Sequence, residues 1–436
     1  MERRRPTLSL GTILVVLLPA CVALAQESTP QPETLTLRQA MSLALEYHPF
    51  LRVSDANVRS SSAAVTQAVA GYLPSLSLTA STSRTDGAFV FNPSFPARLQ
   101  SYNSLSTGLQ LQQTLFDFGR TGERVSATQH LEEAATLDYA TARENVTVNA
   151  QQAYFDLLQA QKVEAVNEEA VQLATANLAR ARAFYSVGRR PQLDVTKAEV
   201  DLANANVNLI RARNQLHITG VQLENAIGIH PAGGFAVSDT FEVSHLTLSL
   251  DSARAIALEQ RPDLRSAQAR VHAARSFVSA AWAQNLPILS ASGTWTWSGF
   301  NLPLSSRWNA GVTLSLPLFQ GFAISGQVNQ AEANADAAQA SLDLSKEAVI
   351  LDVQQSYWGV REAEERIAAA TKLVEQAEQN LVLSEKQYAA GVGIALDVTD
   401  ARLSLSNARI TEIQALYDYN SSLLRLRRSM GTIGQE

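Results

Sequence analysis

The chain has 436 residues, enough for two or three ordinary domains, with 46% hydrophobic and 17% charged residues. That balance excludes both a disordered chain and a helical membrane protein. The net charge of -6 gives no electrostatic reason to expect a nucleic-acid partner.

At the N-terminus, Arg3, Arg4 and Arg5 precede an apolar run from Leu8 to Leu18, and Ala23-Leu24-Ala25 fits a small-residue cleavage site. Residues 1–25 therefore read as a secretory signal. Their removal takes away Glu2 and three arginines and brings the net charge from -6 to about -8. Cys21, the only cysteine, leaves with the signal, which suits an oxidising compartment. Leu18-Pro19-Ala20-Cys21 also loosely matches a lipoprotein box, so a lipidated Cys21 is the competing outcome. No later window holds enough uninterrupted apolar residues for a transmembrane helix.

The remainder is one pattern written twice. Leu35-Thr36-Leu37 matches Leu248-Ser249-Leu250, His48-Pro49 matches Arg261-Pro262, and Leu73-Pro74 matches Leu286-Pro287, each 213 positions apart. From Gly108 and Gly311 onward the offset is 203, and it holds for Leu115-Phe116 with Leu318-Phe319, Tyr154 with Tyr357, Gly188 with Gly391 and Asp194 with Asp397. The first copy thus carries ten extra residues between Pro74 and Gly108. A period this long marks a duplicated domain, not a solenoid.

Each copy changes period in the same order. Residues 38–73 and 251–286 read as Ala-rich helices that end at Pro74 and Pro287. The period then becomes two. Leu76, Leu78 and Ala80 alternate with Ser and Thr; Leu289, Ala291, Gly293, Trp295 and Trp297 share one face; Ala310, Val312, Leu314 and Leu316 oppose Asn309, Thr313 and Ser315. Four strands of about ten residues are expected, near 75–90, 101–115, 287–298 and 307–318. Residues 82–105, with Phe89, Phe91, Pro93, Phe95 and Pro96, read as a surface loop. Long helices follow at 120–187 and 322–390, the second interrupted by Gly359, with return helices at 192–227 and 395–430. A stretch such as 122–187, free of Pro, spans about 100 Å if straight and points to coiled-coil packing.

The strands' polar face is Ser, Thr, Gln and Asn, as in a wetted lumen, and Trp295, Trp297 and Trp308 sit on the strands as in an interfacial aromatic girdle. Four strands cannot close a membrane barrel, and open edges cannot face lipid. Twelve strands from three chains satisfy closure.

The duplication, the turn Leu115-Phe116-Asp117-Phe118-Gly119-Arg120, and the two tips "YSVGRRPQLDVT" and "YAAGVGIALDVT" resemble the TolC-like outer membrane efflux protein family over residues 35–431. The resemblance implies a mixed α+β membrane fold: a homotrimer with a 12-stranded β-barrel, four strands per chain, in outer-membrane lipid. That barrel continues into a long periplasmic α-helical barrel. The organisation expected is a first repeat at 26–228, a small equatorial linker at 229–250 and a second repeat at 251–436. The implied function is export from periplasm or cytoplasm, together with a periplasmic adaptor and an inner-membrane pump of RND, ABC or MFS type, in a Gram-negative-type bacterium. Neither chemistry nor a cofactor is implied.

At the tips, Gly188 and Gly391 fit helix C-caps, and Asp194 and Asp397 fall in the first turn of the return helices, where the helix dipole favours an acid. The resemblance adds roles. It maps Asp397 and Asp400 onto the acidic rings of the periplasmic aperture, with Lys197 at the position of Asp400 in the first copy. It places Asp194 and Tyr388 at latch positions; the family's basic latch residue is replaced by Gly393, and Arg189 and Arg190 are the expected compensation. Val187, Gly188, Arg189, Arg190, Gly391, Val392 and Gly393 are the expected adaptor-docking tips. The alternative is a periplasmic coiled-coil adaptor or structural protein without a pore. Enzyme chemistry finds no support: His48, His130, His217, His230, His245 and His272 are scattered with no pair at ligand spacing, and no phosphate loop or nucleophile elbow occurs.

Overall fold

The computed structural model describes residues 33–89, 98–231, 233–238, 241, 243 and 245–433. The signal-peptide reading of residues 1–25, the Cys21 alternative, and Phe91, Pro93, Phe95 and Pro96 lie outside the described residues.

Two units of matched elements follow one another. The first holds α1 (Leu37–Tyr47), α2 (Pro49–Val69), β2 (Ser75–Phe89), β3 (Arg98–Phe116), α3 (Arg120–Ser186) and α4 (Gln192–Ile227). The second holds α5 (Leu250–Gln260), α6 (Pro262–Trp282), β5 (Ile288–Gly299), β6 (Ser305–Ser315), α7 (Ala323–Ala389) and α8 (Ala395–Met430). Both long helices have 67 residues and both return helices 36. At 1.5 Å per residue each long helix is about 100 Å. Two short strands, β1 (Glu33–Leu35) and β4 (Phe235–Val237), pair in parallel at mid-height.

Three expectations are corrected. The stretches 38–73 and 251–286 are not single helices. Each is a pair broken before Pro49 or Pro262, because the proline forces His48 (ψ 122) and Arg261 (ψ 121) into extended geometry and then opens the next helix. Gly359 does not interrupt α7, which runs through it unbroken; a lone glycine costs a helix only about 1 kcal/mol. Residues 82–89 and 98–105 are strand, not loop, so β2 and β3 reach 15 and 19 residues against 12 and 11 for β5 and β6. The ten extra residues of the first copy therefore lengthen a hairpin.

The four long strands form one antiparallel sheet in the order β2-β3-β5-β6. Directly paired residues share a face. One row reads Leu78, Leu109, Trp295, Trp308; its neighbour reads Leu76, Leu111, Gly293, Ala310. The opposite face has Ser77, Gln110, Thr294, Asn309 and then Ser75, Gln112, Ser292, Gly311. The alternation seen in single strands thus holds across all four. A slip of one residue would put every leucine on the wrong face.

Below the sheet the helices pack through small residues. Ala127, Ala134, Ala150, Ala363, Ala370 and Ala408 are buried along the seams. Two larger clusters sit at mid-height. In one, Leu35, Phe235 and Val237 pack on Tyr154, Leu157 and Leu158, and the Tyr154 hydroxyl donates to the Leu35 carbonyl. In the other, Leu246, Leu248 and Leu250 pack beside Val353 and Tyr357.

Each unit closes on itself. Gly228 and Gly431 end α4 and α8 in left-handed geometry (φ +88 and +71) against the backbone of His48 and Arg261. A Cβ on Gly431 would sit 3.0 Å from the Arg261 Cα. Gly431→Ala is expected to destabilise the detergent-solubilised protein by about 1–3 kcal/mol. Gly220→Ala, in a helix interior with open space around it, is expected to be neutral or stabilising by up to about 1 kcal/mol. Guanidinium unfolding followed by helical circular dichroism measures both; equal midpoints would refute the close-packed cap.

Candidate functional site

At each tip a long helix stops in a left-handed glycine. Gly188 (φ +70) follows α3, and the Arg189 amide donates to the Phe184 carbonyl at 2.9 Å. Gly391 (φ +79) follows α7, and the Val392 amide donates to the Gln387 carbonyl at 3.1 Å. Both are Schellman closures. Val187 and Val392 are exposed at the extreme ends. Gly393 packs tightly: a Cβ there would lie 3.0 Å from the Tyr388 amide nitrogen. A basic residue at this place would have to push the last turn of α7 outward by a few tenths of an ångström.

The return helices begin with their acids in the first turn. Asp397 accepts a hydrogen bond from the Ile394 amide at 3.3 Å. Asp397 and Asp400 are exposed, three residues apart and so on one face of α8. Asp194 is half-buried in the first turn of α4. The structure brings one expected pair together: the Arg190 guanidinium of the first tip lies 4.5 Å over the Tyr388 ring of the second. Among the described residues, Asp194, Asp400 and Arg189 join no ion pair.

Sequence reading missed the ties above the tips. Arg182 pairs with Glu199 at 2.8 Å in the first hairpin, and Glu385 pairs with Arg402 at 2.6 Å at the equivalent place in the second, with the charges exchanged. Between hairpins, Thr399 donates to Asp201 at 3.0 Å, and Arg409 bridges Glu169 and Glu378. Higher up, the Tyr417 hydroxyl donates to Asp156 at 2.7 Å; burial, then that carboxylate, raises the phenol's pKa. His130 and His272, 142 residues apart, are also neighbours, with ring centroids 5.4 Å apart.

On the sheet, Trp295 stacks on Trp297 at 5.2 Å, and Trp308 pairs across from Trp295. A second aromatic group marks the helix end of the strands. Phe116 meets Phe118 at 4.7 Å and Phe319 meets Phe322 at 5.5 Å, all exposed. The two turns that carry them each need two consecutive left-handed residues, and fill them in opposite order: Phe118-Gly119 in one, Gly321-Phe322 in the other. Asp117 also caps α3 by accepting from the Thr121 amide and hydroxyl at 2.8 and 2.5 Å. Gln320 stands at the matching place in the second copy.

An amphipathic four-stranded sheet with two unpaired edges, continuous with helical hairpins about 100 Å long, defines a subunit of an outer-membrane channel-tunnel. Residues 40–229 and 254–432 match the family described as "Outer membrane efflux protein". The chain is 26% identical to outer membrane protein TolC of Escherichia coli K12, over 96% of this chain and 87% of that one. To TolC of Vibrio cholerae it is also 26% identical, over 86% and 85%. The CmeC outer membrane channel of Campylobacter jejuni has the same fold, with a TM-score of 0.82 at 21% identity, over 91% of this chain and 85% of that one. The chain belongs to the outer membrane efflux protein family, and its place is the outer membrane.

A half-buried charge cluster of the second unit faces Glu144 of α3. Arg261 bonds Asp263 at 2.6 Å and Asp352 at 2.8 Å and donates to the Ser429 carbonyl. Burial pulls Asp263 up, but the hydrogen bonds and charge of Arg261 outweigh it and hold the carboxyl below its usual range. Glu144 on α3 faces the same cluster, and burial, aided by Asp263, pushes its carboxyl up to about 7. A carboxyl that binds its proton more tightly folded than unfolded contributes stability below pH 4.5 that is lost as pH rises through about 7. Glu144→Gln is expected to flatten the stability profile across that window. Unfolding midpoints at pH 4.5, 6 and 8 test this; parallel profiles for wild type and variant would refute it.

Proposed function

We propose that three copies of this chain form a conduit through the outer membrane and much of the periplasm. The observation that carries this reading is the sheet. Its leucine and tryptophan face suits lipid, its Ser/Thr/Gln/Asn face suits a wet lumen, and its edges β2 and β6 have no partner in the chain. Lipid tolerates no open edge, so the edges join those of like copies, and three chains of four strands close a barrel of twelve. Trp295, Trp297 and Trp308 stand at one lipid boundary. The phenylalanines of the strand-to-helix turns stand at the other.

In that assembly the helical hairpins line a tunnel and their tips converge. Asp397 and Asp400 form acidic rings at the periplasmic aperture, where clustered carboxylates favour cations. Asp194, Tyr388, Arg189 and Arg190 hold the tips of neighbouring chains together. The Arg190–Tyr388 contact within one chain supports a part for both. Exposed contacts of this kind contribute only about 0–1 kcal/mol each, so the closed state is a sum of several. The tips Val187–Arg190 and Gly391–Gly393 take a periplasmic adaptor, which links the conduit to an inner-membrane pump of RND, ABC or MFS type. The chain passes its cargo unchanged and performs no chemistry on it.

Single-channel recording in planar bilayers tests the aperture. Small cation-selective steps are expected for wild type, and Asp397→Ala/Asp400→Ala should lose most of the selectivity. Unchanged selectivity would remove these acids from the constriction. Native mass of the extracted protein should be that of three chains; a monomer in detergent with no channel activity would overturn the conduit.

Arg190→Ala is expected to raise conductance or open probability at the same voltage, because it frees Tyr388 from its cross-tip cation. Arg189→Ala should do less, since Arg189 meets no aromatic partner among the described residues. Equal effects of the two would reject the special place of Arg190.

A further inference from the structure

In the rows that pair across all four strands, every residue on either face is uncharged except Arg307. Its row reads Thr79, Gly108, Thr296, Arg307 and lies on the Ser/Thr/Gln/Asn face. The next row toward the hairpin turns is serine throughout. Arg307 is exposed, and among the described residues it joins no ion pair. Trp308 follows it in the chain and so stands on the opposite face. Arg307 is therefore at the level of the tryptophans but on the wet side of the sheet. An arginine on the lipid face would cost stability, whereas on a lumen face it sets selectivity.

Assembly would not neutralise this charge. β6 is an edge strand, so in the proposed barrel Arg307 stands at the seam with β2 of the next copy. Out to Thr85 the polar face of β2 carries only hydroxyls, from Ser75, Ser77, Thr79, Ser81, Ser83 and Thr85. Across that whole length, no register of the seam brings a carboxylate to Arg307. The one acid of β2, Asp86, lies on the other face and pairs with Arg84.

We propose that Arg307 of each copy contributes to a basic collar at the outer mouth, which binds small anions and favours their passage; this rests on the conduit proposed above. The conduit then carries opposite charge at its two ends, with Asp397 and Asp400 at the tips and guanidiniums at the exit. The hydroxyls of Thr296 and Ser305, neighbours of Arg307 on the same face, can donate to the same anion. Cargo bearing a carboxylate, phosphate or sulfate group is the class such an exit favours. The field of an exposed charge reaches only about 8 Å at physiological ionic strength, so the preference strengthens as salt is lowered.

The test is planar-bilayer recording of the full-length protein in the Asp397→Ala/Asp400→Ala background, where the aperture no longer masks the exit. Under a potassium chloride gradient at low salt, a residual preference for chloride is expected. Adding Arg307→Gln should abolish it, and adding Arg307→Lys should retain it. Tripolyphosphate applied at the outer mouth should block the background channel, at least tenfold less strongly with Arg307→Gln. Arg84→Gln, on the opposite face of the sheet, should change neither. A conducting channel indifferent to Arg307→Gln overturns the collar and leaves the conduit standing, and so does an equal effect of Arg84→Gln. If Arg307→Gln does not assemble, the background decides alone: without chloride preference or tripolyphosphate block the collar falls. No conductance from wild type or background would overturn the conduit, and the collar with it.

Discussion

A strand in lipid must find a partner for every backbone N–H and C=O, because no water is there to take its place. This chain provides four strands and leaves two edges unpaired. The rest of the molecule is arranged around that deficit. The residues of one face are apolar in all four strands, so the sheet has a defined outside before it meets another copy. The strands lead into helices through turns of fixed geometry, so the direction in which the hairpins leave the membrane is set at the sheet. In the proposed assembly, closure among like copies brings every tip to the same level.

The hairpins are held together by a different economy. A helix of 67 residues in an ordinary protein would bury a broad apolar stripe. Here the seams are lined by alanines such as Ala127, Ala134, Ala363 and Ala370, which let helices approach closely but remove little apolar area from water. Polar ties add to this narrow contact: Arg409 with Glu169 and Glu378, Tyr417 with Asp156, and Arg366 with Glu362 and Asp418. The larger clusters are confined to mid-height, where Tyr154 and Tyr357 occupy equivalent places and the segment between the repeats packs on them. The larger apolar contacts are thus gathered at the waist, and in the proposed assembly neighbouring chains bury more of the hairpins.

The fold was legible where a pattern repeats. Leu289, Ala291, Gly293, Trp295 and Trp297 announce a two-faced strand by themselves, and the second copy repeats the message of the first. The breaks before Pro49 and Pro262 were legible in principle, since the residue before proline leaves helical geometry; the unbroken Ala-rich periodicity on both sides concealed them. At the β2–β3 hairpin the sequence left two readings open, strands near 75–90 and 101–115 and a loop over 82–105, for a physical reason. Beyond Ala80 both faces turn polar, with Arg84 and Asp86 paired at 3.9 Å, so the strand loses its alternation while keeping its hydrogen bonds. Contacts between distant residues were out of reach altogether. Nothing local marks His130 and His272 as neighbours, or shows that Arg402 is buried while Arg182 is exposed. The tips were legible as caps because Gly188 and Gly391 follow long helices, but the stacking of Arg190 on Tyr388 depends on how two hairpins lie side by side.

The glycine caps at the far ends of α4 and α8 carry a consequence for the origin of the chain. In each copy the last turn touches the residue that opens the second helix of the same copy, His48 or Arg261. A half-length ancestor with this geometry would have its beginning and end close together, and six such units would supply the twelve strands of the proposed barrel. Joining two of them into one gene needs only a short connector at mid-height, with no rearrangement of sheet or hairpins. Once fused, the two halves were free to diverge separately. The exchanged charges of Arg182–Glu199 and Glu385–Arg402, and the reversed Phe-Gly order at the turns, are differences that a ring of identical half-length subunits does not permit.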